Sequence, residues 1–326
     1  MYGPDFTFLG IERCDLEKIE TYKDAEVVIV GAPIDSGTSH RSGAKFGPQA
    51  IRMGDYLPHD GERPHLALRT DGLKDMKVVD AGDLLMNGGN LEESLALLAA
   101  ATEKISRAGA IAVILGGDHS IASADVAGIA NHRGKGKISM VHFDAHADTG
   151  ADQWGALVGH GTPMRRLIEN GHVRGDRFLQ LGLRGYWPDD ATLNWMRDQG
   201  MRSYEMTEIH HRGLKAVLDE SFATLTDGCD GVFLSVDIDV VDPGMAPGTG
   251  TPEPGGMTSR ELLEAVRRIC LELPVVGIDV VEVAPPFDSA DITAILANRV
   301  VLEALSAIAL RKKGGSYSPT RNLLDR

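Results

Sequence analysis

The chain has 326 residues, 43% of them hydrophobic and 25% charged, the proportions of a folded protein with a large core and not of a disordered chain. Asp and Glu outnumber Lys and Arg by 47 to 33, a formal net charge of −14. That sign disfavours nucleic-acid backbones and anionic membranes as partners and suits a small cationic ligand.

Short apolar, β-branched runs alternate with longer amphipathic stretches along the chain. Strands are predicted at Glu26–Gly31, Met76–Ala81, Ala110–Leu115, Lys137–Asp144, Phe178–Leu183, Met201–Tyr204, Gly231–Asp239 and Val275–Val283. Several are apolar almost throughout, as strands covered on both faces are. Helix starts are signalled by Asn90 three residues before Glu93 and by Thr258 three before Glu261, both resembling capping boxes. Strand followed by helix, repeated, predicts an α/β fold with a mainly parallel sheet between helical layers. No linker or repeat divides the chain, so one domain over 1–326 is expected, with a loosely held tail from Arg311 to Arg326. Cys14, Cys229 and Cys270 have no paired spacing, which argues against a disulfide framework. The first residues lack the basic and apolar regions of a leader. No uninterrupted apolar run reaches the roughly 18 residues a bilayer requires. The expected location is the cytoplasm.

Three segments at predicted strand ends carry unusual chemistry: Gly116-Gly117-Asp118-His119-Ser120, Asp144-Ala145-His146-Ala147-Asp148 and Ser235-Val236-Asp237-Ile238-Asp239. Open α/β sheets bind ligands at such ends. Alternate residues of an extended strand share a face, so Asp144, His146 and Asp148 are expected to converge, as are Asp237 and Asp239. Carboxylates crowded into a low-dielectric site need a cation. Four carboxylates and two imidazoles exceed the needs of one ion, and the oxygen-rich set suits Mn²⁺ better than a thiolate-seeking zinc site.

These three segments, with Gly43-Ala44-Lys45-Phe46-Gly47-Pro48-Gln49-Ala50-Ile51-Arg52, resemble the signatures of the ureohydrolase family of arginases, agmatinases and guanidino-acid hydrolases. The resemblance extends from about Val27 to Ala309. It implies a three-layer α/β/α sandwich around an about eight-stranded sheet. It also implies two Mn²⁺ per subunit, one held by His119, Asp144, Asp148 and Asp237 and the other by Asp144, His146, Asp237 and Asp239, with Ni²⁺ as a possible substitute. By the same resemblance His160 and Asp148 move protons, Glu282 receives the substrate guanidinium, and Thr251 stands beside it. The implied reaction is metal-assisted hydrolysis of a guanidino group to urea and an amine.

The loop after Asp148 does not match the arginase pattern and carries Asp152 as its sole charge. Asp152 suits the distal ammonium of agmatine, giving urea and putrescine, and Trp154 is a candidate for the entrance. Arg41 and Arg184 could instead receive an acid end, so 4-guanidinobutanoate and 3-guanidinopropanoate are the alternative substrates, followed by other guanidines and biguanides. A single-zinc deacetylase-like hydrolase or a non-catalytic partner subunit fits less well, because all six ligands are present. Similar proteins are trimers or hexamers, and the apolar stretch Ile292–Ile308 is equally a candidate interface or a helix packed on the sheet.

Overall fold

The computed structural model describes residues 7–55 and 62–320. Among these, eight strands form one parallel sheet: β1 (Val27–Ala32), β2 (Val78–Asp83), β3 (Ile111–Gly116), β4 (Ile138–Phe143), β5 (Val173–Leu183), β6 (Arg202–Glu205), β7 (Gly231–Asp237) and β8 (Val275–Val281). Their order across the sheet is β2-β1-β3-β8-β7-β4-β5-β6, and every pairing is parallel. Each residue of β1, β4, β7 and β8 is buried, which is why these strands read as unbroken apolar runs and not as alternating ones.

Two apolar clusters flank the sheet. One gathers residues such as Ile278, Val280, Leu262, Val266, Val300 and Leu305 under helices Ser259–Glu272 and Ile292–Lys312. The other packs Val28, Ile114 and Met140 with Leu98, Val126 and Ile129 of helices Leu91–Arg107 and Ala122–Arg133. The expected α/β/α layering is therefore present. Asn90 accepts from the Glu93 N–H, and Thr258 with Glu261 closes a reciprocal capping box, so both helix-start signals lie where the sequence placed them.

Three expectations need correction. Strand β5 begins at Val173, five residues ahead of Phe178. Strands β4 and β7 stop at Phe143 and Asp237, so Asp144, His146, Asp148 and Asp239 lie beyond the strands and do not alternate across a pleat. The stretch from Arg311 is partly anchored: the helix runs to Lys312, and the Tyr317 hydroxyl accepts from Arg267 at 2.8 Å, while residues 321–326 lie outside the described ones. By length and composition the helix Ile292–Lys312 is apolar enough to cross a membrane. It is a packed core helix instead, with most of its residues buried, because its apolar residues cover the sheet and its neighbouring helices.

Candidate metal centre and active site

The six expected ligands come from the carboxyl ends of three strands among the four neighbours β3, β8, β7 and β4. His119 opens a short 3-10 turn after β3, with Asp118 as its cap. Gly117 must be glycine, since a Cβ there would stand 2.0 Å from the Ile34 carbonyl oxygen. Asp144, His146 and Asp148 follow β4 in a turned segment, in which His146 N–H donates to Asp144 Oδ1 at 2.6 Å and Ala145 N–H to Asp239 Oδ1 at 3.1 Å. Asp148 adopts a left-handed φ of 51°, a conformation that non-glycine residues rarely take outside functional turns. Asp239 N–H donates to Asp237 Oδ1 at 2.8 Å. The carboxylates thus converge through these turns.

His119 Nδ1 lies 3.1 Å from Asp144 Oδ2, 3.1 Å from Asp148 Oδ2 and 3.2 Å from Asp237 Oδ2. Although fully buried, it makes no hydrogen bond to any of them. A ring nitrogen central to three carboxylates and aligned with none fits a cation bound among the four groups. His146 Nδ1 stands 3.1 Å from Asp239 Oδ2 and 3.4 Å from Asp144 Oδ1, so Asp144 presents one oxygen to each histidine. The electrostatics agree. Burial alone would lower both imidazoles, yet the carboxylates outweigh it and hold His119 and His146 well above the usual histidine range. Burial and the charges of Asp239 and Asp144 push Asp237 well above the usual carboxylate range. The cluster demands positive charge, and with no ion it can only draw protons.

His142 supports the cluster from behind Asp144. Its Nε2 donates to Asp144 Oδ2 at 2.8 Å, while its Nδ1 accepts from Gln180 Nε2 at 3.1 Å. Asp118 ties the cluster to a neighbouring loop, accepting from Gly37 N–H at 2.7 Å.

His160 lies 2.9 Å from Glu282, Nδ1 to Oε1, and the same oxygen accepts from the His119 N–H at 2.9 Å. Glu282 Oε2 is buried and has no partner. Burial would lower His160, but the Glu282 charge and hydrogen bond outweigh it and raise the ring to about 9. The Ser39 N–H at 3.0 Å from Nε2 works in the opposite sense and is the weaker influence, being uncharged. Thr251 donates to Asp239 Oδ2 at 3.3 Å, so its hydroxyl faces a ligand carboxylate.

A cleft of about 390 Å³ opens over the cluster, lined by Ser39, His146, Asp148, Asp152, Gln153, Trp154, His160, Gly161, Trp187, Asp237 and Thr251. Asp152 is exposed and caps its own turn by accepting from Gly155 N–H at 2.8 Å. Trp154 is 82% exposed at the rim. Neither candidate arginine lines the cleft. Arg41 bonds the carbonyls of Thr249 and Gly250 and stacks on Phe287, and Arg184 bonds the carbonyls of Gly182, Asp239, Val240, Glu253 and Pro254. The sequence reading did not single out Ser39 or Gln153. Gln153 braces the cleft wall by donating to the Gly37 carbonyl at 2.9 Å and accepting from Gly161 N–H at 3.2 Å.

The profile of the arginase family matches residues 25–307. A guanidinobutyrase of Pseudomonas aeruginosa is 37% identical over 87% of this chain and 86% of its own. An agmatinase of Cronobacter sakazakii is 37% identical over 93% of this chain and 94% of its own. Among solved structures, the proclavaminate amidino hydrolase of Streptomyces clavuligerus superposes with a TM-score of 0.83 at 34% identity, covering 95% of this chain and 99% of that one.

Proposed function

The chain belongs to the arginase family and is a hydrolase acting on guanidino groups, and from that premise we propose that its substrate is agmatine, cleaved with water to urea and putrescine in the presence of two Mn²⁺. The observation that carries the substrate choice is the charge of the cleft wall: Asp152 lines it, and no arginine or lysine does among the described residues. A distal ammonium meets a favourable field there, whereas a distal carboxylate meets none. The commitment of Arg41 and Arg184 to backbone carbonyls supports the same choice.

His119, Asp144, His146, Asp148, Asp237 and Asp239 would hold the ions. When bound, they supply Lewis-acid activation of water for attack on the guanidino carbon. Glu282 offers its unpartnered Oε2 to a guanidinium N–H, a charge-assisted contact suited to a planar cation. His160, held at Nδ1 by Glu282 and lining the cleft, is placed to move a proton to the departing amine. Asp148, which lines the cleft beside His119, assists that transfer.

A guanidino-acid reading is kept by the 37% identity to a guanidinobutyrase. Urea release from agmatine, arginine, 4-guanidinobutanoate and 3-guanidinopropanoate by the Mn²⁺-loaded protein decides between them. Agmatine is expected to give the highest kcat/KM, and a preference for either guanidino acid would overturn the choice.

A further inference from the structure

The opposite edge of the His119 ring meets a buried row of groups that the hydrolysis does not use. His119 Nε2 lies 2.8 Å from Ser235 Oγ, and Ser235 Oγ lies 2.8 Å from Asp279 Oδ1, which also accepts from the Val236 N–H at 3.2 Å. Ser235 and Asp279 are both 0% exposed. Hydrogen-bond directions follow from the donor inventory. The Ser235 hydroxyl donates to the Asp279 acceptor, so its oxygen must receive the hydrogen on His119 Nε2. That leaves Nδ1, the atom facing three carboxylates, with its lone pair open.

The row ends on a second acid. Asp125, in the first turn of helix Ala122–Arg133 and 0% exposed, lies against Asp279 in side-chain contact. Its Oδ1 accepts from its neighbour Val126 N–H at 2.6 Å. The remaining oxygens, Asp125 Oδ2 and Asp279 Oδ2, are buried and no donor reaches either. Two touching carboxyls without outside donors are satisfied by one hydrogen between them. Burial and the Asp279 charge both push Asp125 well above the usual carboxylate range, consistent with Asp125 as the member that keeps the hydrogen. Asp279 has two donors, Ser235 and Val236, and is the better seat for the charge.

We propose that Asp125 and Asp279 share one hydrogen and form a positioning pair that fixes, through Ser235, the Nδ1-open form of His119 for metal binding. The role rests on the two-ion reading above. The charge on Asp279 also raises the basicity of the imidazole, as carboxylates behind metal-bound histidines do. Neither acid touches the cleft, so both are positioning residues and not catalytic ones.

The test uses the full-length chain loaded with Mn²⁺, dialysed against graded chelator and counted for retained ions, with thermal melts to verify folding. Ser235→Ala and Asp279→Ala are expected to weaken retention of one of the two ions by about 10–100-fold, the usual effect of removing such a partner. Asp125→Asn is expected to keep near-wild-type retention, because its amide supplies the hydrogen Asp279 needs. An infrared band of a protonated carboxyl is expected in the wild type and in Ser235→Ala, and is expected to vanish in Asp125→Asn. If Asp279→Ala does not fold, Ser235→Ala, which removes one hydroxyl, carries the measurement. Wild-type retention in a folded Ser235→Ala, or absence of the carboxyl band from the wild type, overturns the pair alone. A wild-type chain that holds no Mn²⁺ overturns the pair together with the two-ion reading.

Discussion

Glu282 supports His160 from a strained backbone: its φ is 62°, in the left-handed region, and its Oε1 accepts from His160 Nδ1 at 2.9 Å. A carboxylate held in this conformation is maintained by its surroundings, here by the His119 N–H and the Gly117 carbonyl that accepts from the Glu282 N–H.

The pairing gives a pH dependence. His160 is raised from 6.5 to about 9 in the metal-free protein. A raised histidine contributes stability that is fully present below its unfolded value and is lost as pH climbs through the folded one. Metal-free protein is therefore expected to lose on the order of 3 kcal/mol from this group between about pH 6.5 and 9. Glu282→Gln removes the leading charge that raises the ring, so His160 should titrate well below 9. A histidine-resolved NMR titration checks both values, and an unchanged His160 in the variant would sink the assignment.

Metal removal has a stability cost of known form. With Mn²⁺ at 100 times its Kd, the native state should gain about 2.7 kcal/mol per independent site. The melting temperature should rise with added Mn²⁺ and fall with chelator. Asp237→Asn, which removes a charge shared by the cluster, should stabilise the metal-free chain while flattening its response to Mn²⁺. Differential scanning fluorimetry reads both effects, and a Mn²⁺ response in the variant equal to the wild type would contradict the role of Asp237.

At the cleft wall, Asp152→Asn should raise KM for agmatine about fivefold with kcat little changed, since an exposed ion pair is worth at most about 1 kcal/mol. Asp152→Lys should shift preference toward 4-guanidinobutanoate. Steady-state urea assays on both substrates decide, and a loss confined to kcat would mean that Asp152 does not meet the distal end.

Far from the cleft, Arg52 is buried against Asp80 and Asp83, and Asp80 also accepts from the Phe8 N–H at 2.7 Å. Arg52→Met should cost about 3–5 kcal/mol by leaving the Asp80 charge unpaired in the core. Adding Asp80→Asn should restore part of that loss. Urea denaturation of the single and double variants measures it.

Much of this arrangement was legible in the sequence, for identifiable reasons. Strands such as Val27–Ala32 and Val275–Val281 are buried on both faces and so spell themselves as apolar runs. Thr258 with Glu261 is a local signal and needs no tertiary context. The path by which Asp144, His146 and Asp148 converge was misread, because the left-handed φ of 51° at Asp148 has no glycine to announce it. The uses of Arg41 and Arg184 were hidden, since backbone carbonyls leave no trace in residue identity. Asp279 and Asp125 escaped notice because their partners lie far along the chain, Ser235 being 44 positions from Asp279 and 116 from His119.

The strand order carries a temporal consequence. Strands β7 and β8 sit between β3 and β4, although the chain makes them last. Until they enter, the segments bearing His119 and Asp144 flank a gap two strands wide, and Asp237, Asp239 and Glu282 are elsewhere. A nascent chain therefore has no complete centre to load until its final strands have threaded into the middle of the sheet. Ion capture then marks the end of folding, and a truncated or stalled product carries only fragments of the centre.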